Sequence, residues 1–182
     1  MAIYDNDGTS TREIGKLYDN DGTTTYQTGK AYDNNGSVNS LIYSAEYDVL
    51  AALGWTKAGT SSYITSLTAT NVTIKPTAGS GNARVYKTID VTNYSSMTIT
   101  CSLSALYSYA TCGLYASDPG YLVYNEPTVG KQVRDTNGST QTVNGTFTFN
   151  ISSLRGTYYV VIGAYQGSGA SPVATCTKFI LE

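Results

Sequence analysis

Met97-Thr98-Ile99-Thr100-Cys101-Ser102-Leu103 alternates apolar and polar side chains without a break. Successive side chains of a strand point to opposite faces, so this run predicts a strand with one face buried and one wet. Val143, Phe147, Phe149 and Ile151 alternate in the same way, interrupted at Gly145. Tyr158-Tyr159-Val160-Val161-Ile162 is apolar throughout and suits a central strand buried on both faces. The remaining strand candidates in this part of the chain are Tyr63 to Ile74, Ala83 to Val91, Ala110 to Tyr115, Tyr121 to Asn125, Lys131 to Arg134 and Val173 to Leu181. Asp118-Pro119-Gly120, Asn137-Gly138 and Gly167-Ser168-Gly169 supply the turns between runs. About eight short strands with helix signals nearly absent predict an all-β domain over 61–182, an antiparallel β-sandwich most simply of jelly-roll type.

The N-terminal stretch has another logic. Ile3-Tyr4-Asp5-Asn6-Asp7-Gly8-Thr9 returns as Leu17-Tyr18-Asp19-Asn20-Asp21-Gly22-Thr23 and again as Ala31-Tyr32-Asp33-Asn34-Asn35-Gly36-Ser37, a period of 14 residues. A fixed period means one structural unit copied, and such units rarely bury an apolar face alone. Thr and Tyr favour strands, while Asp5, Asp7 and Gly8, with Asp19, Asp21 and Gly22 and then Asp33, Asn35 and Gly36, carry turn chemistry. Residues 1–44 therefore read as an array of 14-residue β-hairpin repeats. Apolar side chains there are scarce, and ordering a backbone costs roughly 1–2 kcal/mol per residue. Two readings stay open: order gained against sister chains or a host surface, and no fixed structure in isolation. The first predicts a homo-oligomer, a trimer being favoured, joined through 1–44. Residues 45–60 read as a junction in which Glu46 to Gly54 forms one or two helical turns ended by Gly54, with Trp55 as a packing plug.

Composition narrows the function classes. Charged residues make up 13% of the 182 and the net charge is -2, so no nucleic-acid partner is signalled. No run approaches the ~20 apolar residues of a membrane span. Met1-Ala2-Ile3-Tyr4-Asp5 has no basic start followed by an apolar run, so no signal peptide is expected. The chain contains no His, which removes the commonest general base and metal ligand, and an enzyme is not expected. Cys101, Cys112 and Cys176 read as buried reduced thiols, although Cys101 and Cys112 lie in runs that could face each other and bridge.

The repeat turns resemble calcium loops superficially, but Gly arrives at position 4 and no Glu follows at the required distance, so no metal or other cofactor is expected. Asp90, Asp118, Glu126, Asp135 and Glu182 could give a glycosidase pair only if two of them converged in a cleft. Seventeen Tyr against three Phe suggest half-exposed sheets and binding surfaces. Tyr107, Tyr109, Tyr121 and Tyr124, flanked by Asn, Asp and Ser, are the candidate exposed patch for stacking on a glycan or a protein; tyrosines packing on a sheet are the plainer reading.

The Tyr-Asp-Asn-Asp-Gly-Thr copies separated by Ile14-Gly15-Lys16 and Thr28-Gly29-Lys30 resemble the short arrays in structural proteins of tailed bacteriophages. Lys87-Thr88-Ile89-Asp90-Val91-Thr92-Asn93-Tyr94 and Ile151-Ser152-Ser153-Leu154-Arg155-Gly156-Thr157-Tyr158-Tyr159-Val160 resemble their small β-rich domains. The resemblance implies a virion component such as a head fibre, decoration protein or tail-fibre-like adhesin, oligomeric, made in the host cytoplasm, and touching other virion proteins through 1–44 and a host surface glycan through the sandwich. A carbohydrate-binding module of a bacterial surface protein is the alternative, and a glycoside-cleaving enzyme is third.

Overall fold

A computed structural model describes residues 46–77, 81–118, 120, 125–167 and 171–182, together with the backbone of six strands in the N-terminal part. The chain divides into two compact units, Met1–Tyr47 with Glu182, and Asp48–Leu181.

In the first unit β1 (Ile3–Asn6) pairs antiparallel with β2 (Thr11–Ile14), β3 (Tyr18–Asn20) with β4 (Thr25–Gln27), and β5 (Lys30–Asn34) with β6 (Asn39–Ser44). The innermost Cα partners are Asn6 and Thr11, Asn20 and Thr25, and Asn34 and Asn39, spaced at the sequence period of 14. Asp5, Asp19 and Asp33, expected in the turns, lie in β1, β3 and β5 opposite Arg12, Tyr26 and Ser40. The ladder runs on through each following Asn. Asp7, Gly8, Asp21, Gly22, Asn35 and Gly36 lie outside the described residues.

The second unit is built from β7 (Tyr47–Asp48) at its boundary, β8 (Thr56–Gly59), a 3-10 turn at Ser61–Tyr63, β9 (Ile64–Leu67), β10 (Val72–Ile74), β11 (Asn82–Asp90), β12 (Ser96–Ala105), β13 (Ser108–Tyr115), β14 (Val129–Arg134), β15 (Gln141–Asn150), β16 (Thr157–Gln166) and β17 (Val173–Leu181). Two sheets result, one ordered β15-β12-β17-β10-β9 with β7 beside β17, the other β14-β13-β16-β11-β8. From β8 onward, neighbouring strands run antiparallel.

The alternation of β12 buries Met97, Ile99, Cys101, Leu103 and Ala105. On β17, Ala174 and Cys176 point inward, then the register shifts so that Thr100 faces Lys178 while Cys101 faces Cys176. This bulge at Thr177 keeps Lys178 on the wet face and returns Phe179 and Leu181, both 0% exposed, to the core. Val160, Val161 and Ile162 are fully buried at the centre of the five-stranded sheet. All three cysteines are free, buried thiols: Cys101 lies opposite Cys176 in register, and Cys112 sits against both from the other sheet. Those contacts, then burial, push the Cys112 thiol well up.

Three expectations are corrected. Over 46–54 a single turn forms and no helix: Ala52 N–H closes on Asp48 O at 3.2 Å, the Asp48 carboxylate accepts the N–H groups of Leu50 (2.9 Å) and Ala51 (3.2 Å), and Val49 N–H reaches Phe179 O at 2.8 Å. Asp48 starts this turn as an N-cap does, and with Gly54 following so soon the turn is too short to propagate as a helix. Gly54 still closes the turn, at φ +92°. The run from Tyr63 to Ile74 is two strands, because Thr68 Oγ accepts Asn71 N–H (3.0 Å) and donates to Asn71 O (3.1 Å), turning the chain back. Residues 48–60 group with the sandwich, where β8 pairs with β11 from Ala83 to Tyr86. Of the expected strand Tyr121 to Asn125, residues 121–124 lie outside those described.

Phe179 is the largest fully buried side chain. Phe179→Ala should lower the free energy of urea unfolding by about 3–5 kcal/mol, the transfer and cavity cost of a core aromatic. A loss below about 1 kcal/mol would contradict the packing described.

Candidate functional site

Period-two geometry sorts the five-stranded sheet into an inner face bearing Val85, Cys112 and Ile162 and an outer face bearing tyrosines and arginines. Across the registers, Arg84 and Tyr86 of β11, Tyr159 and Tyr165 of β16, Tyr109 of β13 and Arg134 of β14 share that outer face. They form two clusters. In one, the Arg84 guanidinium lies 4.8 Å from the Tyr86 ring centroid, and Tyr86 meets Tyr159 at 6.2 Å. In the other, Arg134 lies 5.2 Å from the Tyr109 ring and Tyr109 meets Tyr165 at 6.0 Å. Such cation–π and tilted ring contacts fix flat side chains without closing their outer surfaces.

Between the clusters the face is covered. Thr111, Gly113 and Tyr115 are buried although they point away from the core. The described part of the segment after β13 lies there: a Cβ on Gly113 would stand 3.0 Å from Pro127 Cβ and 2.5 Å from Val129 O. Gln132 donates to Asn125 O (3.0 Å), Ala116 N–H to Thr128 Oγ (3.1 Å), and Arg84 pairs with Asp118 at 2.7 Å. Burial pushes the Tyr115 hydroxyl up to about 12, against its 2.6 Å hydrogen bond with Thr111.

A second feature sits where β12 turns into β13. Tyr107, 43% exposed, adopts φ +47°, a left-handed conformation uncommon outside glycine. The Asp135 carboxylate holds it there. Its oxygens accept N–H groups from Tyr107 (2.7 Å), Asn137 (3.0 Å), Gly138 (3.1 Å) and Ser139 (3.3 Å), and Ser108 and Asp135 exchange backbone hydrogen bonds at 3.0 and 3.1 Å. The Tyr107 ring lies so close over Gly138 that no Cβ would fit there.

The expected tyrosine patch is thus divided. Tyr107 is exposed, Tyr109 is only 8% exposed because Arg134 and Tyr165 stack against it, and Tyr121 and Tyr124 lie outside the described residues. Tyr86 and Tyr165, half-buried, belong to this face outside the expected patch, and Tyr158 and Tyr159, expected to be buried in the central strand, are half-buried. Their signal was available as odd-even parity once β11 and β16 are paired. Of the candidate acids, Asp90 caps its own turn through Thr92 N–H (2.9 Å), Asp118 pairs with Arg84, and Asp135 serves its loop.

A third feature is an apolar cavity of about 270 Å³ lined by Leu50, Leu53, Trp55 and Leu67 among others. Leu53 is 93% exposed, whereas Trp55 Nε1 is buried without a hydrogen-bond partner. Lys87 Nζ donates to Leu53 O at 2.9 Å and stands 5.7 Å from the Trp55 ring, and burial lowers its pKa. No family model matches the chain, and none of the curated proteins matches its sequence.

The Tyr107 N–H above all, with those of Asn137, Ser139 and Gly138, holds the Asp135 carboxyl below the usual aspartate value, against burial. A depressed folded-state value contributes stability above the ordinary pKa of about 3.9, and that contribution is lost as pH falls through the lower value. Asp135→Asn keeps the shape without the charge. Urea midpoints measured across acid pH should therefore fall less steeply in the variant than in the parent protein. Parallel acid slopes would exclude this role for Asp135.

Proposed function

We propose that this chain is a non-enzymatic structural protein of a tailed phage particle, with 1–44 serving as dock and trimerisation element and the sandwich displayed as a head-fibre, decoration or tail-fibre domain. The observation that carries the reading is the phase of the array. Its innermost strand partners recur at the 14-residue period of the sequence, and the sandwich forms its own compact unit. A copied, polar, weakly apolar hairpin suits repeated docking better than a single binding event. The jelly-roll reading is supported by the strand orders β10-β17-β12-β15 and β11-β16-β13-β14, with the chain passing between sheets at almost every connection.

The outer tyrosine face and the Tyr107 loop support adhesion to a host surface glycan, since half-buried rings flanked by guanidinium groups suit sugar faces and hydroxyls. The same face favours the second reading, a carbohydrate-binding module of a bacterial surface protein. Low net charge argues against nucleic acid as partner. On the leading reading the protein is made in the host cytoplasm and resides in the virion. Gold-labelled antibody against the chain should decorate phage particles in lysates. Label on the surface of uninfected cells, with bare particles, would replace this reading by the second.

The array makes its own prediction. Deleting residues 17–30 removes one full period and should leave an assembly whose mass is a multiple of three chains. Deleting 17–23 breaks the phase and should abolish that assembly while the sandwich stays folded. Light scattering giving one mass for both deletions and the full chain would refute assembly through 1–44.

A further inference from the structure

β15 is an edge strand of unusual character. It pairs with β12 over all ten residues, Gln141 to Asn150, and among the described residues nothing pairs with its other side. Every second residue therefore directs an unpaired backbone N–H and C=O outward. Long regular edges are templates for another chain, and proteins blunt them with charge, bulges or brevity. The other edges are blunted, and β7 is only two residues long. β14 carries Lys131 and Arg134, β8 is four residues long with Lys57, and β9 is four residues long with a bulge at Thr65. β15 has no charged residue and no Pro.

We infer that β15 pairs antiparallel with β15 of a second copy of this chain, joining the two six-stranded sheets across a twofold axis. Charge selects this occupant. Across a twofold axis an edge meets its own edge, so a lysine-bearing edge brings like charges together while the uncharged β15 does not. An axis through Thr146 sets Phe147 opposite Gly145 of the partner subunit and Phe149 opposite Val143 of the partner subunit. A ring thereby lies over a position that lacks a side chain. Phe147 and Phe149 are only half-buried within one copy, with Lys131 Nζ 4.5 and 5.7 Å from their centroids. On the opposite face, the hydroxyl contacts Thr98–Thr148 (3.0 Å) and Thr100–Thr146 (2.9 Å) extend across the axis into Thr146 of the partner subunit. This contact is separate from the array assembly and does not rest on it.

Hydrogen exchange of the full-length protein, read on peptides within 141–150, tests the pairing. At high concentration the outward amides of β15 should exchange about tenfold more slowly than after a hundredfold dilution, as mass action requires. Thr146→Lys sets two ammonium groups across the axis and should leave these amides fast at both concentrations. Ser102→Lys puts the same charge on the same sheet face one strand inward and should behave as the parent. Retained protection of β12 and β17 establishes that each variant is folded; should Thr146→Lys lose it, Thr148→Lys replaces it. Fast outward amides in the concentrated parent, or Thr146→Lys as protected as the parent, overturn the pairing. Protection that persists in the 17–23 deletion supports a contact independent of the array, and protection that vanishes with array assembly overturns it.

Discussion

Both sheets are held at their centres by the last two strands of the sandwich. β16 lies between β13 and β11, and β17 between β12 and β10. Without β16, the edge pair β11-β8 has no ladder to β13-β14; without β17, the hairpin β10-β9 has none to β12-β15. Every long-range feature of the core rests on these insertions, including the thiol cluster of Cys101, Cys112 and Cys176 and the seat of Phe179. Loop-closure entropy must be met before such pairings reward it, so the topology implies slow, cooperative formation once the whole sandwich sequence is present.

The two sheets then present different outer surfaces. The six-stranded sheet shows hydroxyl ladders, with Thr98–Thr148, Thr100–Thr146 and Thr73–Thr175 in contact across strands. The five-stranded sheet shows arginine-capped tyrosines and a segment tied down by Arg84–Asp118. Tyr lets one residue type serve both demands, since it joins an apolar ring that packs to a polar hydroxyl suited to water. Asp135 completes the arrangement by making a loop rigid enough to hold Tyr107 outward in a left-handed conformation.

Period and parity made much of this legible. The alternation of Met97 to Leu103 placed β12 and its buried face, and the unbroken apolar run at 158–162 marked a central strand. What escaped was decided by partners remote in sequence. Glu46 to Gly54 has a helical composition, yet Val49 answers to Phe179, a residue no local window contains. Thr56–Gly59 has little strand propensity, and it is a strand because β11 has an open side for it. Tyr109 read as exposed because its neighbours are polar, but Arg134 and Tyr165, which cover it, arrive from β14 and β16. The tyrosine face was unreadable for the same reason: parity assigns a face only after register is known.

The hydrogen bond from Val49 to Phe179 means that the sandwich begins and finishes at one corner. A domain closed in this manner is topologically a loop with one point of attachment. Tension between its two ends would load the Val49–Phe179 pairing directly and peel β17 away residue by residue, instead of shearing a ladder all at once. The same adjacency makes the sandwich a natural cassette: its ends could be spliced and new ones opened in an exposed turn, leaving the strand order undisturbed.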